Sequence, residues 1–138
     1  MKKVTIVVHS GDLDKVMSAL IIGNGFLAMG TDVTLYFTFW GLQRLVKGHL
    51  SKGPLSKMNF WGLGRLMMMW RMKQKGVASA ERLMADFKAL GGRVIACEMT
   101  MEILGIPKHK IDESLIDEYG AVGLYVKETN ESEKTLFI

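Results

Sequence analysis

Cys97, the single cysteine of this 138-residue chain, follows a short run of strand-forming residues at positions 93–96 and precedes a stretch with helical character. In parallel α/β proteins, ligands and reactive side chains collect at the carboxyl ends of the strands. Free backbone N–H groups at a helix start favour a thiolate and lower its pKa, while the nearby Glu98 acts in the opposite direction. Cys97 is therefore either a reactive thiol or a small apolar residue that fills the core.

Two further loops follow predicted strands and bring polar and aromatic residues to the same edge of the sheet. They are residues 9–12 (HSGD) and 38–41 (TFWG), and they converge on Cys97 if the three strands are neighbours. His9 could act as a base or hold the thiolate as an ion pair, or it could simply pack at the strand end. The predicted site has Cys97 as its reactive group, with substrate-binding residues His9, Ser10, Gly11, Thr38, Trp40 and Met99.

Other kinds of site are poorly matched by the sequence. Residues 10–12 lack the glycine count and the lysine-serine pair of a nucleotide-binding loop, so an N-cap is favoured there and a small-nucleotide binder is a weaker alternative. One cysteine and three scattered histidines do not form a metal-ligand set. The lone cysteine also excludes a C-x-x-C dithiol mechanism within one chain. We predict neither a metal nor a cofactor.

The composition is that of one globular domain, with 49% hydrophobic and 23% charged residues. A single cysteine cannot form an internal disulfide, so the composition does not require an oxidising compartment. The N-terminal apolar run is too short for a signal-peptide core, and we interpret it as a buried strand of a cytoplasmic protein.

Charge is unevenly distributed along the chain. Residues 33–80 contain no Asp or Glu but eight Lys or Arg residues, while eleven of the fourteen acidic residues lie from Glu81 onward. This pattern favours a surface for an anionic or apolar partner. Equally, the acidic end could offset the basic middle across a subunit contact.

Hydrophobic periodicity predicts alternating strands and helices, which call for a parallel sheet with helices on both faces. We expect one domain spanning 1–138, with an insertion at about 47–75 that begins with a mobile loop at 47–57. The predicted strands are Lys3–Val8, 33–39, 93–96, 114–116 and 134–138, and the predicted helices are 13–29, 42–46, 78–90, 99–104 and 119–130.

The segment 58–72 (MNFWGLGRLMMMWRM) is apolar but short, and Arg65 interrupts it. It is therefore too short to span a membrane. An interfacial helix in peripheral membrane contact, an oligomer contact and a lid over the site all remain open. Its methionines and leucines make it more apolar than a nucleic-acid surface, so we expect no nucleic-acid partner.

The sequence resembles the DsrE/DsrF-like sulfur-relay family, in particular its DsrE-related branch described as peroxiredoxin-like. The similarity extends over essentially the whole chain. Four segments carry it: residues 10–15 (SGDLDK), 37–41 (FTFWG), 94–101 (VIACEMTM) and 135–138 (TLFI).

The resemblance implies a three-layer α/β/α fold with a five-stranded parallel sheet and a homo-oligomer. It also implies a cysteine, matched by Cys97, that accepts sulfane sulfur as a persulfide or a thiosulfate adduct. We expect no peroxiredoxin activity, because no Thr-x-x-Cys motif surrounds Cys97 and there is no resolving cysteine.

Two hypotheses follow for the function. In the first, the protein is a sulfur carrier or sulfurtransferase that exchanges sulfur with donor and acceptor proteins through Cys97. In the second, it is a non-enzymatic interaction module that binds a membrane surface or a partner through residues 58–75, and Cys97 is structural.

Overall fold

A computed structural model describes residues 2–138 as an α/β protein built on a five-stranded parallel sheet. The strand order is β4-β3-β2-β1-β5, so the first three strands are direct neighbours. The parallel sheet predicted from the alternating pattern is confirmed, as is the three-layer arrangement. The strands are β1 Lys3–Val8, β2 Asp32–Phe37, β3 Arg93–Cys97, β4 Glu118–Gly120 and β5 Lys134–Phe137.

Within residues 2–138, six α-helices and four short 3-10 turns connect the strands. The α-helices are α1 Leu13–Ala28, α2 Phe39–Leu42, α3 Leu63–Gln74, α4 Ala80–Ala89, α5 Glu98–Leu104 and α6 Val122–Asn130. The 3-10 turns are Gln43–Leu45, Phe60–Gly62, Lys108–Lys110 and Glu113–Leu115.

The two faces of the sheet differ in chemistry because successive strand residues point to opposite sides. One face packs under α1 and α4 and carries the main core, with fully buried Ile6, Leu35, Phe37 and Phe87. The other face lies under α6 alone and holds a smaller cluster that includes Tyr36, Ile95 and Cys97. Cys97 therefore belongs to the thinly covered side of the sheet.

Some predicted boundaries are wrong. A 3-10 turn at Glu113–Leu115 overlaps the strand predicted at 114–116, because the Asp112 carboxylate accepts hydrogen bonds from the Ser114 amide (3.1 Å) and hydroxyl (2.5 Å). The fourth strand follows at Glu118–Gly120, so α6 begins at Val122 and not at 119. Strand β2 ends at Phe37, since Phe39 takes a left-handed backbone conformation (φ 47°) that starts α2.

The segment 47–57, predicted as a mobile loop, is anchored to α1. The Pro54 carbonyl accepts a hydrogen bond from the Leu13 amide at 2.8 Å, and Ser56 donates from its amide and hydroxyl to Asp14. Leu50 and Leu55 are buried in the main core. The anchoring holds this part of the insertion on the α1 side of the sheet.

Candidate functional site

Cys97 opens into a cavity of about 400 Å³ at the carboxyl edge of the sheet. The cavity walls are mostly aromatic and aliphatic, and its polar groups are hydroxyls, one imidazole and the thiol. The lining residues are Val7, His9, Tyr36, Thr38, Phe39, Cys97, Met99, Thr100, Val122, Tyr125 and Phe137. No residue of the segment 58–72 lines this cavity, so within residues 2–138 that segment is not a lid over Cys97.

Strand alternation and register bring Cys97 and Tyr36 together. Residues 93, 95 and 97 of β3 share one face, as do 34 and 36 of β2, and Tyr36 pairs directly with Ile95. Cys97 lies at the end of β3 and is the N-cap of α5, with an extended backbone. The thiol therefore faces the phenol of the neighbouring strand and the first turn of the helix that follows it.

A pair of threonines ties the loop after β2 to the first turn of α5. The hydroxyls of Thr38 and Thr100 lie 3.0 Å apart, and the Phe39 amide donates to the Thr100 hydroxyl at 3.0 Å. Gly41, in the same loop, packs so closely on β1 that a Cβ there would lie 2.2 Å from the Val8 carbonyl oxygen. These contacts fix the position of both hydroxyls beside Cys97.

The environment of Cys97 lowers the pKa of its thiol. Burial by itself raises that pKa, since the side chain is only 7% exposed, but hydrogen bonds to the thiolate outweigh it. The donors are the hydroxyls of Thr100, Tyr36 and Thr38 and the backbone amide of Thr100. A larger fraction of Cys97 is therefore thiolate, the nucleophilic form, than for an ordinary cysteine.

Tyr36 acts as a fixed hydrogen-bond donor in this group. It is buried, and its ring lies 5.1 Å from that of Tyr125 on α6. Burial, followed by the hydrogen bond to Cys97, raises the pKa of the Tyr36 phenol. The phenol therefore stays protonated at neutral pH and can donate a hydrogen bond to the thiolate.

His9 lines the cavity and packs against two aromatic rings. Its ring centroid is 5.2 Å from that of Phe39 and 5.4 Å from that of Phe137. The stacking holds the imidazole in the wall of the cavity. His9, Thr38 and Met99 are the three predicted substrate-binding residues that line the cavity.

The other three predicted binding residues, Ser10, Gly11 and Trp40, do not line the cavity. The Ser10 hydroxyl accepts a hydrogen bond from the Asp12 amide at 3.1 Å, and it thereby shapes the turn into α1. Gly11 packs against the Trp40 backbone, where a Cβ would come within 2.5 Å of the carbonyl oxygen. The Trp40 side chain is half exposed. These three residues support the two loops without lining the cavity.

Sequence reasoning did not identify Tyr36, Thr100 and Tyr125 as site residues. Period-two alternation within a strand could have placed Tyr36 on the same face as Thr34, but the register between β2 and β3 was needed to set it beside Cys97. Thr100 lies one helical turn from Cys97, a spacing that could have suggested a contact.

The cavity offers no cluster of ionised groups. Its lining contains no lysine, arginine or carboxylate side chain. Within residues 2–138, no three His, Cys, Asp or Glu side chains lie close enough together to hold a metal ion. The chemistry available in this cavity is that of a single thiol with hydroxyl groups and one imidazole.

Solved structures with the same fold cover nearly the whole chain. They include the ychN protein from E. coli (TM-score 0.61, 14% identity, all of both chains) and MTH1491 from Methanobacterium thermoautotrophicum (TM-score 0.62, 13% identity, all of both chains). At these identities the likeness concerns the fold.

Two relatives found by sequence share a higher identity with this chain than these structures do. The uncharacterized protein YrkE of Bacillus subtilis is 34% identical over 157 aligned positions, which cover 99% of this chain and 97% of YrkE. The sulfur carrier protein DsrE2 of Allochromatium vinosum is 30% identical over 158 positions, which cover 99% of this chain and 98% of DsrE2. A model of the DsrE/DsrF/DrsH-like family matches residues 1–53 and 46–137. The chain therefore belongs to the DsrE/DsrF/DrsH-like family.

Proposed function

We propose that this protein is a sulfur carrier in which Cys97 accepts a sulfane sulfur and passes it to a partner. The observation that carries the proposal is a lone thiol of lowered pKa that opens into a mostly apolar cavity and has three hydroxyl groups around it. Its 30% identical relative DsrE2 is named as a sulfur carrier protein, which supports the same role here.

The loading step is a thiolate substitution at sulfur. The Cys97 thiolate attacks the outer sulfur of a donor persulfide, R–S–SH, and a new S–S bond forms on Cys97 as the donor S–S bond breaks. The donor leaves as the thiolate R–S⁻, and Cys97 becomes a persulfide. One S–S bond replaces another, so the step needs no external oxidant or reductant.

The hydroxyl donors can stabilise both the free thiolate and the persulfide form of Cys97. The Tyr36, Thr38 and Thr100 hydroxyls that stabilise the Cys97 thiolate can also donate to the charged outer sulfur of a persulfide. The aromatic and aliphatic walls limit access of water to that sulfur. The cavity would thus hold the sulfur until a partner thiol arrives.

Unloading requires a second molecule, because the chain has one cysteine. An acceptor thiolate attacks the outer sulfur of the Cys97 persulfide, takes that sulfur and releases the Cys97 thiolate. A resolving cysteine within the chain would instead attack the inner sulfur of the persulfide, form a disulfide with Cys97 and release the carried sulfur as hydrogen sulfide. A single-thiol carrier avoids that side reaction and depends on separate donor and acceptor partners.

A single-turnover transfer experiment tests this role. Protein loaded with a persulfide donor and then desalted should convert excess cyanide to about one equivalent of thiocyanate per chain. In a separate reaction without cyanide, the loaded protein should deliver this sulfur to added glutathione. The Cys97→Ser variant should carry none. Retention of equal transferable sulfur by that variant would show that Cys97 is not the carrier.

A further inference from the structure

The helix α3 and the turn before it expose an unusual number of large apolar side chains. Trp61 is 99% exposed and Leu63 is 69% exposed. Residues 63, 66, 67 and 70 recur at helical spacing and form one stripe, while Met69 and Met72 on the other side pack against the core. We call this exposed face the α3 surface: Phe60, Trp61, Leu63, Leu66, Met67 and Trp70.

The backbone before α3 adopts conformations that are costly for large residues. Met58, Phe60 and Trp61 have φ values of 58°, 45° and 55°, in the left-handed region. Gly64 allows the turn to close, since a Cβ there would overlap the Met58 carbonyl oxygen. This strained turn carries Phe60 and Trp61, both exposed, beside the exposed stripe of α3.

Cations border the α3 surface. Lys57 and Arg71 line an apolar groove of about 420 Å³ together with Met58, Phe60, Leu63 and Met67. Lys73 and Lys75 follow at the carboxyl end of α3, and all four cationic side chains are exposed. Within residues 2–138 none of these four cations forms a salt bridge, although Glu81 lines the same groove as Lys73.

We propose that the α3 surface docks onto the interface of a membrane that contains anionic phospholipid. Aromatic and aliphatic side chains that insert at headgroup depth, with lysine and arginine beside them, are the chemistry of interfacial helices. A second copy of the chain would instead bring two sets of like charges together. At twelve residues α3 is about 18 Å long, and no helix within residues 2–138 is long and apolar enough to cross a bilayer. The helix therefore lies in the plane of the membrane.

Docking in this way leaves the sulfur site accessible. Helix α3 faces α1 and α4 with Met69 and Met72, on the side opposite the α3 surface, whereas the Cys97 cavity lies on the α6 side of the sheet. The two surfaces share no residue. Membrane docking would place the carrier at the lipid surface while a donor or acceptor reaches Cys97.

Vesicle flotation with the full chain tests the proposal, because floating vesicles separate bound protein from aggregates. We expect the protein to float with vesicles of phosphatidylcholine and phosphatidylglycerol, and far less with phosphatidylcholine alone or at high salt. The double variant Lys57→Gln/Arg71→Gln should bind about 30-fold more weakly, from about fivefold for each cation near the surface. Trp61→Ser/Leu66→Ser should also lose binding.

The matched control is Lys127→Gln/Lys134→Gln, which removes two exposed lysines elsewhere on the molecule. It should bind like the wild type, and all variants should keep the wild-type melting temperature. The proposal is overturned if the wild type does not float, or if the control weakens binding as much as Lys57→Gln/Arg71→Gln. It is equally overturned if Trp61→Ser/Leu66→Ser converts an oligomer to monomers, which would show that a second copy covers the surface.

Discussion

The nucleophilicity of Cys97 depends on hydroxyl groups that other segments bring to it. Thr38 follows β2, Tyr36 lies within β2, and Thr100 comes from the first turn of α5. Burial alone would raise the pKa of the thiol, so these donors determine the direction in which the pKa moves. Removing a donor should therefore move the pKa upward.

We predict that Thr100→Val raises the midpoint of the pH dependence of Cys97 alkylation by iodoacetamide. A hydrogen bond to a charged group contributes roughly 1.5–3 kcal/mol, which corresponds to about one to two pH units. Tyr36→Phe should shift the midpoint in the same direction. The measurement is the rate of alkylation between pH 5 and 10.

Two controls separate this effect from general disruption. Thr100→Ser keeps the hydroxyl and should restore a midpoint near that of the wild type. Tyr119→Phe removes a phenol that packs against the main core and does not line the cavity, and it should leave the midpoint unchanged. An unshifted midpoint in both Thr100→Val and Tyr36→Phe would show that the hydroxyls do not stabilise the thiolate.

The residue scale also shows what the sequence could and could not predict. The position of Cys97 at the end of a strand was readable, because an apolar run leads into it and a helical pattern follows. The position of Tyr36 beside Cys97 could not be predicted, because it depends on the long-range register that pairs β2 with β3. The sequence placed Ser10 and Gly11 after β1 and Trp40 after β2, but whether their side chains reach the cavity depends on turn geometry, and none of the three lines it.

At the scale of elements, α6 is held to its face of the sheet by a buried carboxylate. Glu128 is 3% exposed and accepts from Lys3 Nζ at 2.5 Å and from the Thr34 hydroxyl at 3.1 Å, and it also pairs with Arg93. Burial raises its pKa, but Lys3 and Arg93 outweigh burial and hold the pKa of Glu128 below its ordinary value of 4.5. The stabilisation is complete above that value and is lost as pH falls through the lower folded-state pKa.

We predict that Glu128→Gln lowers the free energy of unfolding at pH 7 by about 1.5–3 kcal/mol, as expected for loss of a buried, charge-assisted contact. The difference from the wild type should shrink as the pH falls below about 4.5, because Glu128 is protonated first in the unfolded state and then, at its lower folded-state pKa, in the native state. Urea denaturation at several pH values measures this. Glu131→Gln, on an exposed side chain 53% accessible, should change the value by less than about 0.5 kcal/mol. A constant difference down to pH 3 would contradict the account.

Elements were predicted best where local pattern and tertiary packing agree. Strand β1 has the bounds that its β-branched run indicated, and α1 ends one residue earlier than predicted. The fourth strand was predicted too early in the chain, at 114–116. The periodicity there is weak, and the hydrogen bond from the Ser114 amide to Asp112 stabilises a turn instead. The loop 47–57 contains glycine, proline and lysine, yet buried leucines and contacts to Asp14 hold it in place.

At the scale of the whole molecule, the α6 side of the sheet remains incompletely covered. Val122 and Phe137, which line the Cys97 cavity, are 61% and 70% exposed, and Val126 on α6 is 47% exposed. Phe39 adds a further exposed ring. A sheet face covered by one nine-residue helix leaves apolar surface that a second copy of the chain could bury.

We therefore predict a homo-oligomer through the α6 side, with a mass in light scattering that is a multiple of the 15.4 kDa chain. Val126→Asp should shift the protein toward monomers, because a carboxylate in an apolar contact loses its hydration. Met29→Asp, on an exposed residue at the end of α1, should not. A wild-type protein that stays monomeric at high micromolar concentration would rule out this contact.

The central claim is that Cys97 accepts a sulfane sulfur. Its most direct test is intact-mass spectrometry after exposure to a persulfide donor. The wild type should gain the mass of one sulfur atom, and peptide mapping should locate it on Cys97. The gain should disappear after reduction and should be absent in Cys97→Ser. A wild-type protein that gains no sulfur under conditions that load a free-thiol control would contradict the account.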